Sequence, residues 1–310
     1  MRDVMTSKDV MASASKDVMA SKDVMASKDV ITNIGNSIIQ HGKFNDRIYL
    51  MKLSDQDFPD IIDKLNKMAL DNGYSKIFAK VPAFARDVFE KNKYIEEAHI
   101  PKFYNGNEDI YFMGRYFSLL RMYENKIGEI NKILDIAIST TKILTSDDIK
   151  LQSGFYYKIC DKSHIYQMAD VYKKVFKTYP FPIYDPQYIV KTMDENFIYF
   201  SIQKDDHIVA LSSSEIDTDS QSVEMTDFAT LPEYQGYGLA LYLLYKMEDD
   251  MRKRNIKTSY TISRAISYGI NIIFAKMGYK YAGTLYNNTN ISIEITSGNF
   301  ESMNVWYKSL

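Results

Sequence analysis

The segment Gln235–Ala240 joins two glycines to the start of a helix, an arrangement suited to binding phosphate. The residues before it, 222–231, have the pattern of a short strand, and apolar residues recur after it at helical spacing over Leu239–Met247. Glycines let the backbone approach a ligand closely, and the first N–H groups and the dipole of a helix favour an anion. The order strand, glycine turn, helix therefore predicts a phosphate-binding site.

Two common phosphate-binding loops do not fit this segment. A Walker A loop continues into Gly-Lys-Ser/Thr, which is missing here, and a dinucleotide fingerprint needs Gly or Ala where Leu241 stands. The pattern that fits is Gln/Arg-x-x-Gly-x-Gly/Ala, matched by Gln235, Gly238 and Ala240. The segment 230–240 thus resembles the pyrophosphate-binding loop of the GNAT N-acetyltransferases, which implies acetyl-CoA as co-substrate and no metal.

The resemblance implies how the chain holds acetyl-CoA. In the GNAT pattern the strand before the loop splays from its neighbour, and its main-chain groups pair with pantetheine as another strand would. By register with the family's loop, Phe228 and Thr230 make those bonds, and the Phe228 N–H faces the thioester oxygen, where it stabilises a developing oxyanion. The residues implied to bind the cofactor are Phe228, Ala229, Thr230, Gln235, Gly236, Tyr237, Gly238, Leu239, Ala240, Ser267, Asn271 and Phe274.

A base is needed to deprotonate the acceptor amine, because about one lysine-like amine in a thousand is neutral at pH 7. Glu224 lies eleven residues before Gln235, the spacing at which the histone-acetyltransferase branch of the family carries its catalytic glutamate. A positioned carboxylate contributes roughly 10²–10⁴-fold to the rate. The competitor is Asp227, which strand alternation places on the opposite face. The alternative for Glu224 is an exposed strand carboxylate without a catalytic role.

The general acid is not identified by the sequence. Many members of the family carry a tyrosine four residues before the Gly-Phe/Tyr pair that ends the penultimate helix, and that position is Phe274 here. A thiolate is a fair leaving group, since a cysteine-like thiol has a pKa near 8.5, so an acid is not essential. Tyr286 is the candidate substitute. The asparagine that usually contacts pantetheine is replaced by Ser267, with Asn271 one turn further on.

The resemblance extends over nearly the whole chain, from about residue 34 to 310, to the β-lysine N-acetyltransferases within this superfamily. The segments that carry it are 73–83, 97–106, the glycine loop, 278–285 and 303–306. It implies acetyl transfer to the ε-amine of β-lysine, giving N6-acetyl-β-lysine, a compatible solute used in osmotic adaptation.

A diamino acid needs a partner for its carboxylate, amide or acidic partners for its free amine, and a lid. Three aromatic residues lie in loop 179–184, where GNAT enzymes cover the acceptor, and two asparagines follow the final turn. An arginine at a helix start is the candidate for the carboxylate, with a solvated arginine as the alternative. The predicted substrate-binding residues are Tyr179, Phe181, Tyr184, Arg264, Asn287 and Asn288.

Two other functions stay open at this point. The first is a GNAT enzyme that acetylates a different amine, such as a polyamine or a protein lysine. The second is a non-catalytic acetyl-CoA-binding protein, suggested by Phe274 at the tyrosine position and by a first half without its own glycine loop.

Composition narrows the class of protein and its location. A net charge of −2 and a pI of about 6.1 give no basic footprint for nucleic acid. The single Cys160 excludes an internal disulfide framework and is compatible with a reducing compartment. No apolar run has the length that spans a bilayer. We expect a soluble cytoplasmic protein with a small-molecule substrate and no nucleic-acid or membrane partner; the oligomeric state is not determined by the sequence.

The elements that position these residues fall into four segments. Residues 1–33 contain a Ser-Lys-Asp-Val repeat whose six-residue spacing builds no continuous apolar face, so they are predicted to form a mobile extension. Residues 34–117 are predicted as an N-terminal α/β domain, 118–150 as a linker that is helical to about 145, and 151–310 as the catalytic domain. The predicted fold class is α/β (α+β), a GNAT fold with a mixed central sheet flanked by helices.

The N-terminal domain echoes the second half. The segment Ile77–Tyr94 parallels Ile273–Tyr279, including Phe-Ala-Lys in both. This predicts that the first domain is a degenerate GNAT-like unit.

Overall fold

The computed structural model describes residues 29–140, 142–291 and 300–310. Its strands are β1 Val30–Ile34, β2 Ser37–Gly42, β3 Arg47–Lys52, β4 Lys76–Pro82, β5 Ile95–Tyr104, β6 Glu108–Tyr116, β7 Tyr156–Ile159, β8 Phe197–Lys204, β9 His207–Asp217, β10 Ser222–Thr230, β11 Thr258–Arg264, β12 Lys280–Thr289 and β13 Glu301–Ser309. Its α-helices are α1 Ile61–Asn72, α2 Arg86–Lys91, α3 Leu119–Met122, α4 Ile127–Ile138, α5 Ile165–Val175, α6 Pro186–Glu195, α7 Leu239–Lys253 and α8 Tyr268–Lys276. None of the helices in these ranges is long and apolar enough to cross a membrane.

The strands form one mixed sheet in the order β1-β2-β3-β4-β6-β5-β12-β13-β11-β10-β9-β8-β7. Two neighbouring pairs are parallel, β3 with β4 and β10 with β11, and the other pairs are antiparallel. A helix connects each parallel pair, α1 in the first case and α7 in the second. The mixed sheet and flanking helices confirm the predicted fold class.

The two halves of the sheet repeat one topology. The order β3, α1, β4, α2, β5, β6 matches β10, α7, β11, α8, β12, β13, and both β4 and β11 pair with the last strand of their half. The echo in the sequence therefore corresponds to a repeated arrangement of elements. The halves meet where Gly283 of β12 pairs with Ala98 of β5. A Cβ at Gly283 would lie 2.1 Å from the main-chain oxygen of Glu97, so the join requires glycine there.

The ordered fold begins earlier than the predicted boundary at residue 33. Residues 1–28 of the predicted extension lie outside the described part of the chain. Val30–Ile34, however, pairs with β2 from Val30 beside His41 to Ile34 beside Ser37. The end of the predicted extension is thus an edge strand.

The predicted continuous helix over 118–145 is wrong. Two helices, α3 and α4, are separated by an extended Tyr123, and the chain from 142 to 155 has no α-helix. The side-chain amide of Asn287 donates hydrogen bonds to the carbonyl oxygens of Arg121 and Tyr123, at 3.1 and 2.9 Å. These carbonyls would accept bonds from later residues if the helix continued, so a tertiary contact ends it.

Candidate active site

A cavity of about 780 Å³ lies where β10 and β11 separate. These strands pair from Ser222 beside Thr258 to Glu224 beside Tyr260, and their pairing stops there. Beyond this point β10 pairs with β9 and β11 pairs with β13. The inner main-chain edges of the two strands have no strand partner in the described part of the chain, so an extended group can add there as a strand would.

One end of the cavity is formed by the glycine loop. Gly236 and Gly238 have φ angles of +84° and +74°, and apart from their chain neighbours no atom of the described residues lies within 4 Å of where their Cβ atoms would be. Glycine is thus required by the backbone angle, and the space beside it is open. Helix α7 follows, and no described side chain caps it. Its first main-chain bond is from Tyr242 to the Gly238 oxygen, so the preceding N–H groups remain for an anion. The loop fits a pyrophosphate group.

The predicted cofactor residues divide between the cavity and the core. Tyr237 lies on the outer side of the loop, 44% exposed, with its ring 5.5 Å from that of Phe155. Ala229 is buried in the apolar cluster behind β10. Those that line the cavity are Phe228, Thr230, Gln235, Gly236, Gly238, Leu239, Ala240 and Ser267.

Two predicted pantetheine contacts, Asn271 and Phe274, do not line the cavity. Asn271 is fully buried, and its side-chain oxygen accepts bonds from Asn304 and Trp306, each at 2.9 Å. Its amide group donates to the Ser267 oxygen at 2.7 Å. Phe274 packs edge-on against the ring of Phe228 in the core. Both side chains are therefore occupied within the protein.

The expectation that Asp227 lies on the opposite face from Glu224 is wrong. Thr226 pairs with Ser213, but Ala229 pairs with Leu211, so β10 contains a bulge, at which Asp227 has φ +55°. A bulge inserts an extra residue and breaks the two-residue alternation. As a result Asp227 turns toward Ser213 and lines the cavity together with Glu224.

A second carboxylate, that of Glu215 on β9, is the direct cross-strand neighbour of Glu224. Both line the cavity. Burial, followed by the neighbouring Glu224, raises the pKa of Glu215 to about 7, and burial also raises the pKa of Glu224. Like charges placed opposite each other cost stability, and perturbed carboxylates in a cleft are typical of functional sites. The pair can hold or release a proton near neutral pH.

Lys80 of β4 reaches this carboxylate pair from the N-terminal half. Its ammonium group donates to the Tyr260 hydroxyl at 2.9 Å, and Tyr260 lies beside Glu224 in the sheet. Burial lowers the pKa of Lys80, but the oxygens of Tyr260, Tyr49 and Glu224 outweigh it and raise the pKa well above its ordinary value. Lys80 therefore stays charged and favours the ionised form of Glu224.

Asp227 is held between two hydroxyl groups. Tyr179 and Ser213 each donate to its carboxylate at 2.5 Å. Burial raises the pKa of Asp227 against these bonds. Tyr179 and Phe181, from the predicted lid loop, line the cavity, whereas Tyr184 of the same loop packs in the cluster beneath it.

Three further predictions, Tyr286, Asn287 and Arg264, fit the structure poorly. Tyr286 lies outside the cavity lining, and its main-chain oxygen accepts from the buried Lys76 at 2.8 Å, at the join between the halves. Asn287 is bonded to the α3 region, as described above. Arg264 lines the cavity, but its guanidinium group forms two hydrogen bonds to Glu301, at 2.6 and 2.7 Å. A guanidinium already paired in this way is poorly available to a substrate carboxylate.

Sequence reasoning missed the contribution of the N-terminal half. Five of its side chains line the cavity, and three of them alternate along β3 as one face of a strand does. The alternation in 47–52 indicates a strand with one distinct face. No local pattern shows that this face contacts the C-terminal half of the chain. The missed residues are Arg47, Tyr49, Met51, Phe78 and Lys80, together with Glu215 of β9.

Comparisons with known proteins agree with this geometry. The sequence model described as the acetyltransferase (GNAT) family matches residues 165–279. The chain is 45% identical over 279 residues to the β-lysine N(6)-acetyltransferase of Methanococcus maripaludis, covering 90% of this chain and 98% of that protein. It is 30% identical to the N-acetyltransferase YodP of Bacillus subtilis, covering 88% and 96%. It is also 30% identical to the β-lysine N(6)-acetyltransferase of Methanosarcina mazei, covering 82% and 98%.

Proposed function

The chain belongs to the GNAT family of acetyltransferases, and we propose that it transfers the acetyl group of acetyl-CoA to the ε-amine of β-lysine, giving N6-acetyl-β-lysine. The relatives that carry this activity in their names support it, since they match over nearly their whole length. The observation that carries the proposal is that one cavity extends from the glycine loop to the carboxylates of Glu215, Glu224 and Asp227.

We assign the cofactor end of the cavity to the main chain. The N–H groups of residues 236–240 donate to the pyrophosphate, and the open edge of β10 pairs with the pantetheine arm. Phe228, which lines the cavity within the bulge, is the residue whose N–H faces the thioester oxygen. A fixed donor at that point stabilises the negative charge that develops there.

We assign the general base to Glu224. Glu224 takes one proton from the ammonium group, directly or through water, and the neutral nitrogen bonds to the acetyl carbonyl carbon. The carbon–sulfur bond then breaks to release CoA as thiolate, and the second proton that the nitrogen loses passes to the thiolate or to solvent. Lys80 favours the ionised form of Glu224, whereas burial and the neighbouring Asp227 oppose it. No tyrosine replaces Phe274 as an acid in this assignment, because a thiolate leaves without one.

The charges at the acceptor end suit a diamino acid. The carboxyl groups of Glu215, Glu224 and Asp227 line the cavity together with the cations of Lys80 and Arg47; Lys276 and Arg264, which is paired with Glu301, line it as well. At neutral pH β-lysine carries two ammonium groups and one carboxylate, so a site with side chains of both signs complements it. Strands β3 and β4 form one wall of the acceptor end of the cavity. An end enclosed in this way favours a small molecule over a lysine on a protein surface.

The product has the role of a compatible solute in this proposal, in line with the resemblance of the sequence to β-lysine acetyltransferases. We place the reaction in the cytoplasm. The buried free thiol of Cys160 is compatible with a reducing compartment.

An acceptor panel tests the proposed substrate. With acetyl-CoA present, we expect CoA release to be fastest with β-lysine, slower with α-lysine and slowest with cadaverine. Moving the second amine by one bond leaves its buried partners unpaired, and each lost partner costs about 1–3 kcal/mol. Cadaverine also lacks the carboxylate. If polyamines or histone-like peptides are better acceptors than β-lysine, the proposed substrate is wrong. If no amine gives CoA release above background, the remaining interpretation is a non-catalytic acetyl-CoA-binding protein.

A further inference from the structure

Two neighbouring residues of the cavity lining, Arg47 and Asn288, each have a buried polar side-chain atom without a partner among the described residues. Among the described residues, the Arg47 Nε donor and the Asn288 Oδ1 acceptor have no hydrogen-bond partner. Arg47 is 3% exposed and Asn288 is 1% exposed, and both line the cavity. They are in contact, because Arg47 donates to the main-chain oxygen of Asn288 at 2.5 Å and to the Thr289 hydroxyl at 2.9 Å.

Arg47 is a fixed cation to which no carboxylate is bonded in the described ranges; the carboxylates of Asp29 and Glu97 act on it from a longer distance. Its guanidinium group lies 5.3 Å from the ring centre of Tyr49 and 5.7 Å from that of Phe78. Burial lowers the pKa of Arg47 to about 10, which leaves it charged at neutral pH. Within the described ranges it forms no salt bridge, unlike Arg264, which is paired with Glu301. A buried charge without a counter-charge is costly, and a bound carboxylate removes that cost.

We propose that Arg47 and Asn288 form the head-group site of the acceptor: Arg47 binds its carboxylate and the Asn288 side-chain oxygen binds its β-ammonium group. This inference rests on the proposed function, since it concerns the same cavity. It assigns recognition of the acceptor to the N-terminal half, while the second half holds the donor and the base.

The face of the sheet between the head-group site and the base suits a methylene chain. Arg47, Tyr49 and Met51 alternate along β3 and all line the cavity. Tyr49 pairs with Phe78 of β4, and their rings stack with centres 4.6 Å apart. Apolar carbons passing over these rings lose contact with water, which favours binding.

The span along the strands is long enough for an extended acceptor. Met51 lies four positions after Arg47 on β3, about 13 Å along the strand, and Lys80 of β4 follows Ala79, the last residue paired with β3. Lys80 binds Tyr260, which lies beside Glu224, so the base stands near this end of the strands. Six bonds separate the carboxyl carbon of β-lysine from its ε-nitrogen, about 7 Å when extended. The acceptor therefore fits between Arg47 and the base in this proposal, with the two side chains bridging the remaining distance.

The test combines two variants with acceptors that each lack one group. 1,4-Diaminopentane is β-lysine without its carboxylate, and 6-aminohexanoate is β-lysine without its β-amine. In Arg47→Gln we expect kcat/KM to fall about 10- to 100-fold for β-lysine and 6-aminohexanoate, the factor that a hydrogen bond to a charged group represents, and to stay unchanged for 1,4-diaminopentane. In Asn288→Leu we expect a fall for β-lysine and 1,4-diaminopentane, and none for 6-aminohexanoate.

Ratios between acceptors are measured in one preparation, so a partly unfolded variant does not affect them. Arg47→Lys keeps the charge and is expected to recover part of the preference for carboxylates. Arg264→Gln tests the other arginine that could bind the carboxylate, and it is expected to leave the kcat/KM ratios between acceptors unchanged. Equal losses for all three acceptors, or an unchanged ratio in Arg47→Gln, overturn the head-group site. Failure of the wild-type protein to acetylate β-lysine would instead contradict the proposed function.

Discussion

Replacing the proposed base in Glu224→Gln is expected to lower kcat near neutral pH by about 10²-fold or more, with little change in acetyl-CoA affinity. Gln keeps the size of the side chain but cannot take the proton from the amine. The rate should recover partly at high pH, where the amine loses its proton unaided. The measurement is CoA release from β-lysine between pH 6 and 10. A wild-type rate at pH 7 would move the role of base to Asp227 or to water alone.

Glu215→Gln is the matched control for this variant. A base works when ionised, so kcat/KM of the wild type should rise with pH through the raised pKa of Glu224. The pKa of Glu215 is raised to about 7, in part by the charge of Glu224, so Glu215 is still largely protonated while Glu224 ionises. Gln reproduces that neutral state, and we expect Glu215→Gln to retain activity and to leave the acid limb of the pH profile in place. A loss as large as that in Glu224→Gln would assign the role of base to Glu215.

The second large effect is expected in Gly238→Pro, which should weaken acetyl-CoA binding about 10- to 100-fold, as lost hydrogen bonds to a charged group do. Proline has no N–H to donate and holds φ near −65°, whereas Gly238 has φ +74°. The loop is then unable to present its donors to the pyrophosphate. Isothermal titration with acetyl-CoA measures the change.

Gly106→Pro is a control that distinguishes loss of the pyrophosphate-binding loop from the general backbone strain that a proline introduces. Gly106 has the same φ of +74° and lies in the turn between β5 and β6, outside the cavity lining. We expect it to leave acetyl-CoA affinity unchanged while destabilising the protein to a similar degree. Unchanged acetyl-CoA affinity in a folded Gly238→Pro variant would contradict the assignment of the pyrophosphate site to the glycine loop.

The glycine loop was predictable from the sequence because its signal is local. A strand, two glycines and an amphipathic helix are neighbours in the chain, and their order fixes where the helix N-terminus points. Gly73 is a similar case: a glycine directly after an amphipathic run signals the end of a helix, and Gly73 ends α1 with φ +59°.

The acceptor end was not predictable in the same way. Asp227 was assigned to the wrong face because a bulge in β10, which no residue pattern announces, reverses the alternation after Thr226. Asn271 and Phe274 were assigned by analogy, and tertiary partners such as Trp306 hold them in the core. Tertiary contacts of this kind cannot be predicted from the local sequence.

The contribution of the N-terminal half depends on contacts between residues far apart in the chain. Lys80 meets Tyr260 across 180 residues, and Arg47 meets Asn288 across 241. A unit without a glycine loop suggests a degenerate copy with no function in the reaction. Its place in the continuous sheet gives it one wall of the cavity instead.

The position of the new acetyl group on β-lysine shows which of its two amines lies at the base. In the proposed complex the ε-amine lies at Glu224 and the β-amine is held at the opposite end of the acceptor site. NMR of the product formed from acetyl-CoA and β-lysine should therefore show a single amide, at the ε-nitrogen. Acetylation of the β-nitrogen, a mixture of both products, or unchanged β-lysine would contradict it.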